Sequence, residues 1–463
     1  MPAKFSNRAW ETSTTTGTGT LSLAGVIDAK HKTLKAVVGT GSLVSYIIVH
    51  RTADEYEVGW GIVTSGSPDT LSRLSVEESS NSDALVSLSS GTKDVYIVSS
   101  AAIQGEDPGL CQFRLSLTSG IAVTITDVTG SSANTIYAVP YKGCSLSLYN
   151  GTRWKRYTSS QLTIAVPASN FRIYDVFVWD NAGTLELELT AWDSGGQTTG
   201  SITGCTNATP IVVTSASHGR SVGDLVGING TVTNIAPNGK IWYLSNTTTT
   251  FTLEGSVGNG ASASGGTWYL IPVARTTGLT LQDGVYMKSG DLTRRYLGTF
   301  MTGPTSGQTE DSANRRLLWN YYNQTLRQLS AVDTTDSWSY TTNTWRPSNA
   351  NTDIGVAQCW LVTGLAGGLM RVRNKQIVAN ANFLGTAAAA GVGLNRCAAN
   401  VAQIFGGFTS GGRSTDAHYT GIAPLGFSFV QRLENSAVGG TSTWYGDFGV
   451  TVMQCGMIVE VPT

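Results

Sequence analysis

Apolar and polar residues alternate in short runs along most of the chain, and clusters of Gly, Ser, Thr and Asn separate the runs. A period of two is the signature of a strand with one face on a core. It predicts strands at Val44–Val49, Tyr56–Ile62, Leu74–Val76, Ala84–Leu88 and Asp94–Val98, and further along at Leu115–Leu117, Ile121–Ile125, Tyr174–Trp179 and Leu185–Leu189. Ile136–Tyr141 and Leu146–Trp154 read as a hairpin-like pair around Lys142-Gly143. Past residue 338, seven or eight more strands are expected, among them Val356–Thr363, Gly368–Val372, Phe448–Met453 and Met457–Val461.

One stretch departs from this period. Leu317, Leu318, Tyr321, Tyr322, Thr325 and Leu329 recur at spacings of three and four, the stripe of an amphipathic α-helix. Ser312 stands where an N-cap would, with Glu310 and Asp311 beside it at the positive end of the dipole. The expected fold is therefore mainly β: several sandwich or barrel modules in series, one linking helix, and a C-terminal jelly-roll-like sandwich. The modules are read as 1–103, then 104–308 interrupted by an inserted β module at 200–270, the helix in 309–337, and the sandwich in 338–463. Trp319, Tyr321 and Tyr322 exceed what one helix stripe needs for a single core, which marks them as candidate subunit contacts.

Composition agrees with a β-rich chain. Charged residues make up 13% of the 463 residues, about half the usual ~25%, and the 54 glycines suit many turns. With a formal net charge of −1 and no basic stripe, nucleic acid is not an expected partner. The six cysteines lie too far apart in sequence for CxxC chemistry and read as small, buried, reduced hydrophobes. The start MPAKFSNRAWE has no apolar signal core, and no run is long and apolar enough to span a membrane. The expectation is a soluble product made in a cytoplasm.

Candidate chemistry is sparse. Glu186 and Glu188 place two carboxylates on one strand face, about 6.6 Å apart, within the range glycosidases use; the same alternation is also the ordinary in/out pattern of a half-buried strand. His31, His50, His218 and His418 have no second ligand at metal spacing. Neither a Gly-x-Ser-x-Gly elbow nor a Walker loop occurs. No catalytic residue, cofactor or metal is assigned. Trp338, Tyr340, Trp345, Trp444 and Tyr445 offer ring faces to sugars or to a neighbouring subunit. Arg371 and Arg373, with Lys375, form a positive ladder for acidic sugars or a subunit contact, against the plainer reading of a solvated face. Ala387–Ala390 is small enough for close backbone approach at a symmetry axis, or is an ordinary loop.

Several ordered motifs resemble modules of structural proteins of tailed bacteriophages and prophages. They run from a Thr/Gly-rich opening at Trp10–Leu23 to Tyr56-Glu-Val-Gly-Trp-Gly, where that family has Trp in place of Tyr56. Leu71-Ser-Arg, Glu78-Ser-Ser-Asn and Gly91-Thr-Lys-Asp-Val follow. Tyr174-Asp-Val-Phe-Val with Trp192 continues the likeness. Trp319-Asn-Tyr-Tyr-Asn, followed by Asp336-Ser-Trp-Ser-Tyr-Thr-Thr-Asn-Thr-Trp-Arg, is its most specific part. The resemblance implies a non-enzymatic virion subunit, a tail-fibre or appendage protein forming a homotrimer. Its partners would be itself, other virion proteins and a host-surface glycan, with no membrane partner. A receptor- or glycan-binding head protein and a head-decorating fibre are the alternatives. A polysaccharide-depolymerising tailspike fits least, because no β-helix repeat is present.

Overall fold

The computed structural model describes residues 4, 8–98, 107–247, 249–261, 265–380, 388–408, 411–436, 441–449 and 452–463. The fold is mainly β. Among the described residues the one α-helix is the five-residue Leu34–Val38, capped by the Thr33 side chain on the Ala36 amide. The chain divides into two compact units, residues 1–108 with 152–156, and 109–151 with 157–463.

The first unit is built on a seven-stranded antiparallel sheet. Its central strands, Ser42–His50 and Tyr56–Thr64, pair from Ser42↔Val63 to Val49↔Tyr56. Alternation sends Glu57, Gly59, Gly61 and Val63 to the buried face. Two glycines there are fixed by close approach. A Cβ on Gly59 would stand 2.4 Å from the Ser75 carbonyl oxygen, and one on Gly61 would stand 1.9 Å from that of Ser72. Ala84–Leu88, expected as a strand, makes only a bridge from Leu88 to Gly17.

The second unit begins with a three-stranded sheet and a six-stranded sheet. Phe113, Leu115, Ile136, Val176, Val178 and Phe300 belong to the core they share. Thr184–Ala191 and Leu279–Gln282 are both strands of the six-stranded sheet, and between them residues 199–270 form a separate seven-stranded sheet. That sheet has its own core, which includes Trp242, Trp268 and Phe251. Ile121–Ile125 is not a strand, and Ile125 is 97% exposed.

The C-terminal part stacks two sheets over one core that includes Leu329, Leu361, Val372, Val392, Val430 and Val459. Gln358–Thr363 and Gly426–Ser436 lie in one sheet. Leu326–Asp333, Cys455–Pro462 and Leu369–Asn380 lie side by side in the other. Phe448 sits in a turn rather than opening a strand, and residues 450 and 451 of that expected strand lie outside the described residues.

The expected helix in 309–337 is absent. Arg315–Arg316 pairs in parallel with Trp360–Leu361, Leu318–Asn320 pairs with Gly298–Phe300, and Leu326–Asp333 pairs with Cys455–Pro462. The leucines explain why. A helical stripe feeds one core, whereas Leu317, Leu318 and Leu329 enter three different ones. Consecutive residues buried on opposite sides require an extended chain. Asn323, at φ 55°, turns the chain between two of these strands. Ser312 caps no helix: its amide donates to the Arg315 carbonyl at 2.7 Å, and its hydroxyl donates to Glu310 at 2.6 Å. Glu310 and Asp311 pair with Arg315 and Arg316 instead of facing a helix dipole.

Candidate functional site

Charged side chains are rare in this sequence, and several of those among the described residues are sunk into the cores. In the first unit, Glu57 and Arg73 form a buried ion pair. Arg73 Nε donates to Glu57 Oε1 at 2.7 Å, the Tyr46 hydroxyl donates to the same oxygen at 2.7 Å, and the Val86 amide donates to Oε2 at 2.9 Å. Burial alone would raise the Glu57 carboxyl. Arg73, the Val86 amide and Tyr46 outweigh it and hold the group below its ordinary value. Nearby, Lys93 is fully buried, and its ammonium donates to the carbonyls of Thr15, Ser89 and Gly91 at 2.9, 2.5 and 2.9 Å.

In the second unit, Asp175 receives Arg275 Nε at 2.5 Å, Trp192 Nε1 at 2.9 Å and the Thr299 hydroxyl at 2.7 Å. The Arg275 guanidinium also lies 4.3 Å from the Trp192 ring centre. Asn320 closes an edge of the strand Phe113–Ser116: its Oδ1 accepts the Leu115 amide at 2.6 Å and its Nδ2 donates to the Leu115 carbonyl at 3.3 Å. Asn323 Nδ2 donates to the carbonyls of Cys111 and Phe113, both at 3.0 Å. In the C-terminal sandwich, buried Glu434 receives Trp338 Nε1 and Arg346 Nε, each at 2.8 Å, and the Asn349 amide at 3.2 Å. Burial raises the Glu434 carboxyl against the pull of those partners.

The rings singled out as aromatic contacts all make contacts within the chain. Trp338 and Trp444 are register partners. Trp444 is fully buried and its indole donates to the Ser436 hydroxyl at 3.2 Å, so it presents no ring face to a ligand. Half-buried Tyr340 is covered by the Arg346 guanidinium at 3.7 Å. Trp345 packs edge-on against Phe405, and Tyr445 against Phe448. Trp319 is buried in the core with Tyr296 and Trp360. Tyr321 stands edge-on to Tyr286 and Tyr322, and the Tyr322 hydroxyl accepts Arg295 Nε at 3.1 Å. The surplus of rings that marked Trp319, Tyr321 and Tyr322 is absorbed by contacts within the chain.

The remaining candidates are dispersed. Glu188 is neutralised by Lys288 at 2.5 Å and Arg294 at 2.7 Å, while Glu186 accepts the Asn181 amide at 3.0 Å. The four histidines lie apart from one another: His31 meets Asp28 at 2.8 Å, and buried His50 accepts the amides of Thr52 and Ala53. His218 Nδ1 accepts the Arg220 amide at 2.9 Å, and His418 lies in the strand Gly411–Ile422. Among the described residues no group of acids, histidines and cysteines is placed to hold a metal ion. Five cysteines are buried as expected, Cys144 is exposed, and none is disulfide-bonded. Ala388 and Ala390 are buried between the C-terminal sheets, and Ala387 lies outside the described residues.

Arg371, Arg373 and Lys375 remain on an exposed face, beside an open cleft of about 390 Å³. Sequence reasoning found the ladder but not the other walls, which come from strands ending about 40 residues before it and starting about 80 after it.

No protein-family model and no curated protein matches the sequence. Among solved structures, the T=1 particles derived from infectious bursal virus share 12% identity over 77% of this chain and 71% of that chain, with a TM-score of 0.22. The VP2 subviral particle of infectious bursal disease virus shares 9% identity over 77% of each chain, with a TM-score of 0.19. Scores this low carry no argument about what the chain does.

Proposed function

We propose that the chain is a non-enzymatic structural subunit of a virion, a tail-fibre or appendage protein of the tailed-phage kind, assembled as a homotrimer. The observation that carries the reading is where the resembling motifs fall. Glu57, Arg73 and Lys93, then Asp175 and Trp192, then Asn320 and Asn323, and finally Trp338 and Arg346 each serve a buried hydrogen-bond network. Motif residues used to lock successive β modules suit a protein selected for rigidity and assembly. Attachment to the particle is assigned to the first unit and the outward surface to the C-terminal sandwich. The trimer rests on analogy with phage appendages.

Immunogold labelling of intact virions, with light scattering of the purified chain, tests the proposal. Label on the particle and a mass three times 48.8 kDa are expected. A monomer, with no label on virions, overturns it.

A further inference from the structure

The cleft beside the basic ladder is built by three adjacent strands, Leu326–Asp333, Cys455–Pro462 and Leu369–Asn380. Alternation sends Leu329, Val372 and Val459 to the core and turns Gln328, Ser330, Val332, Ile458, Arg373 and Lys375 outward. Gly456 opens the cleft. It is the register partner of both Val332 and Lys375 and puts no side chain between them. A Cβ there would stand 2.8 Å from the Ala331 carbonyl oxygen and 2.9 Å from Val332 Cγ1, so the close approach of the neighbouring strand requires glycine.

The charges around the cleft do not balance. Arg371 stands in register with Glu460. The Arg373 guanidinium lies 3.5 Å from Asp416 yet keeps 61% of its side chain exposed. Lys375 stands in register with the same Asp416 and forms no ion pair of its own among the described residues. One cation is therefore in excess. Arg373 and Lys375 point the same way, about 6.6 Å apart along the strand, a separation that one sugar ring and its substituents can span. Neutral hydrogen-bonding groups surround them. Ser330 and Gln328 offer donors and acceptors, whereas Gln454 has committed its Nε2 to the carbonyls of Asp333 and Cys455 and keeps its Oε1 as an acceptor. Val332 and Ile458, 42% and 43% exposed, supply apolar contact for the C–H face of a ring.

We infer that this cleft binds an acidic saccharide, a unit of one or two sugars whose carboxylate meets Lys375 and Arg373. The volume suits that size, and a forked guanidinium beside an ammonium suits a carboxylate. A concave site with a surplus cation and polar walls favours this ligand over a second copy of the chain, which a flat apolar face would serve better. The cleft is independent of the appendage proposal, because loss of sugar binding with virion labelling intact would sink only the cleft.

Titration calorimetry of the full chain tests the site, with trigalacturonate and sialyllactose as acidic probes, maltotriose as the neutral one, and inorganic sulfate as a free anion. At least one acidic probe is expected to bind about tenfold or more tightly than maltotriose and sulfate. Lys375→Met should weaken that binding about tenfold, the worth of one charge-assisted hydrogen bond, and leave melting unchanged because the side chain is exposed. Lys375→Glu should abolish it. No binding of either acidic probe at about 10 mM overturns the inference, as does equal affinity in the Lys375→Met chain. Equal binding of sulfate would reduce the cleft to an anion site, and a change in oligomeric mass in either variant would give the face to another copy; both results overturn the saccharide reading.

Discussion

Removing Arg73 is the sharpest test of the buried networks. Arg73→Met leaves the Glu57 carboxylate fully buried with only the Tyr46 hydroxyl and the Val86 amide as donors. It also strips the Gly17 and Val86 carbonyls of guanidinium bonds at 3.1 and 2.7 Å. Breaking a buried pair by deleting one partner costs about 3–5 kcal/mol, because the surviving charge is stranded. Glu57→Gln keeps an acceptor for Tyr46 and Val86 and should cost less. The double variant should lose less than the sum of the two, with a coupling of at least about 1.5 kcal/mol. The pH dependence carries a sign as well. The Glu57 carboxyl is held below its ordinary value of 4.5. Its contribution is therefore complete above that value and is lost as the pH falls through the lower folded value. In Arg73→Met the sign reverses, because burial then dominates: the carboxyl rises, and stability is lost as the pH increases through its raised value. Hydrogen exchange of peptides from Ser42–Thr64, measured in the full chain across a urea series, reads the opening free energy of this sheet. A change below about 1 kcal/mol for Arg73→Met, or additive singles, would refute the argument.

Other changes probe the remaining networks. Asn323→Ala loses two hydrogen bonds and replaces a residue that tolerates φ 55° with one that tolerates it less, so it should cost about 1–3 kcal/mol; Asn323→Gly keeps the turn and isolates the hydrogen-bond share, read by melting. Trp192→Phe removes the bond to Asp175 and weakens the stack on Arg275, with an expected loss of about 1–3 kcal/mol in urea unfolding. Gly61→Ala puts a methyl 1.9 Å from the Ser72 carbonyl oxygen, and soluble yield should fall sharply; normal yield and melting would show that the two strands separate at little cost.

Much of the fold was legible because strand alternation is local. Tyr56–Ile62 and Tyr174–Trp179 announce a half-buried pleat whatever lies opposite, and their observed strands run Tyr56–Thr64 and Ile173–Asn181. Glu57, Arg73, Asp175 and Arg346 stood within the resembling motifs, but nothing in the sequence showed what they would meet. Glu57 meets Arg73 and Glu434 meets Arg346 only once distant strands are in register. Arg275 carried no signal at all, although it completes the Asp175 network.

The sequence by itself determined a mainly β protein, because periodicity, glycine turns and sparse charge act within a few residues of each other. Tertiary structure alone decided the fate of 309–337. Its leucines fit a helical stripe equally well until three separate cores drew them in different directions. The same holds for the cleft. Arg371, Arg373 and Lys375 are a ladder in any strand, and only the pairing that sets Gly456 beside Lys375 turns the ladder into the wall of a cleft. Local patterns specify which face a residue takes; what that face meets depends on contacts far along the chain, which no short window contains.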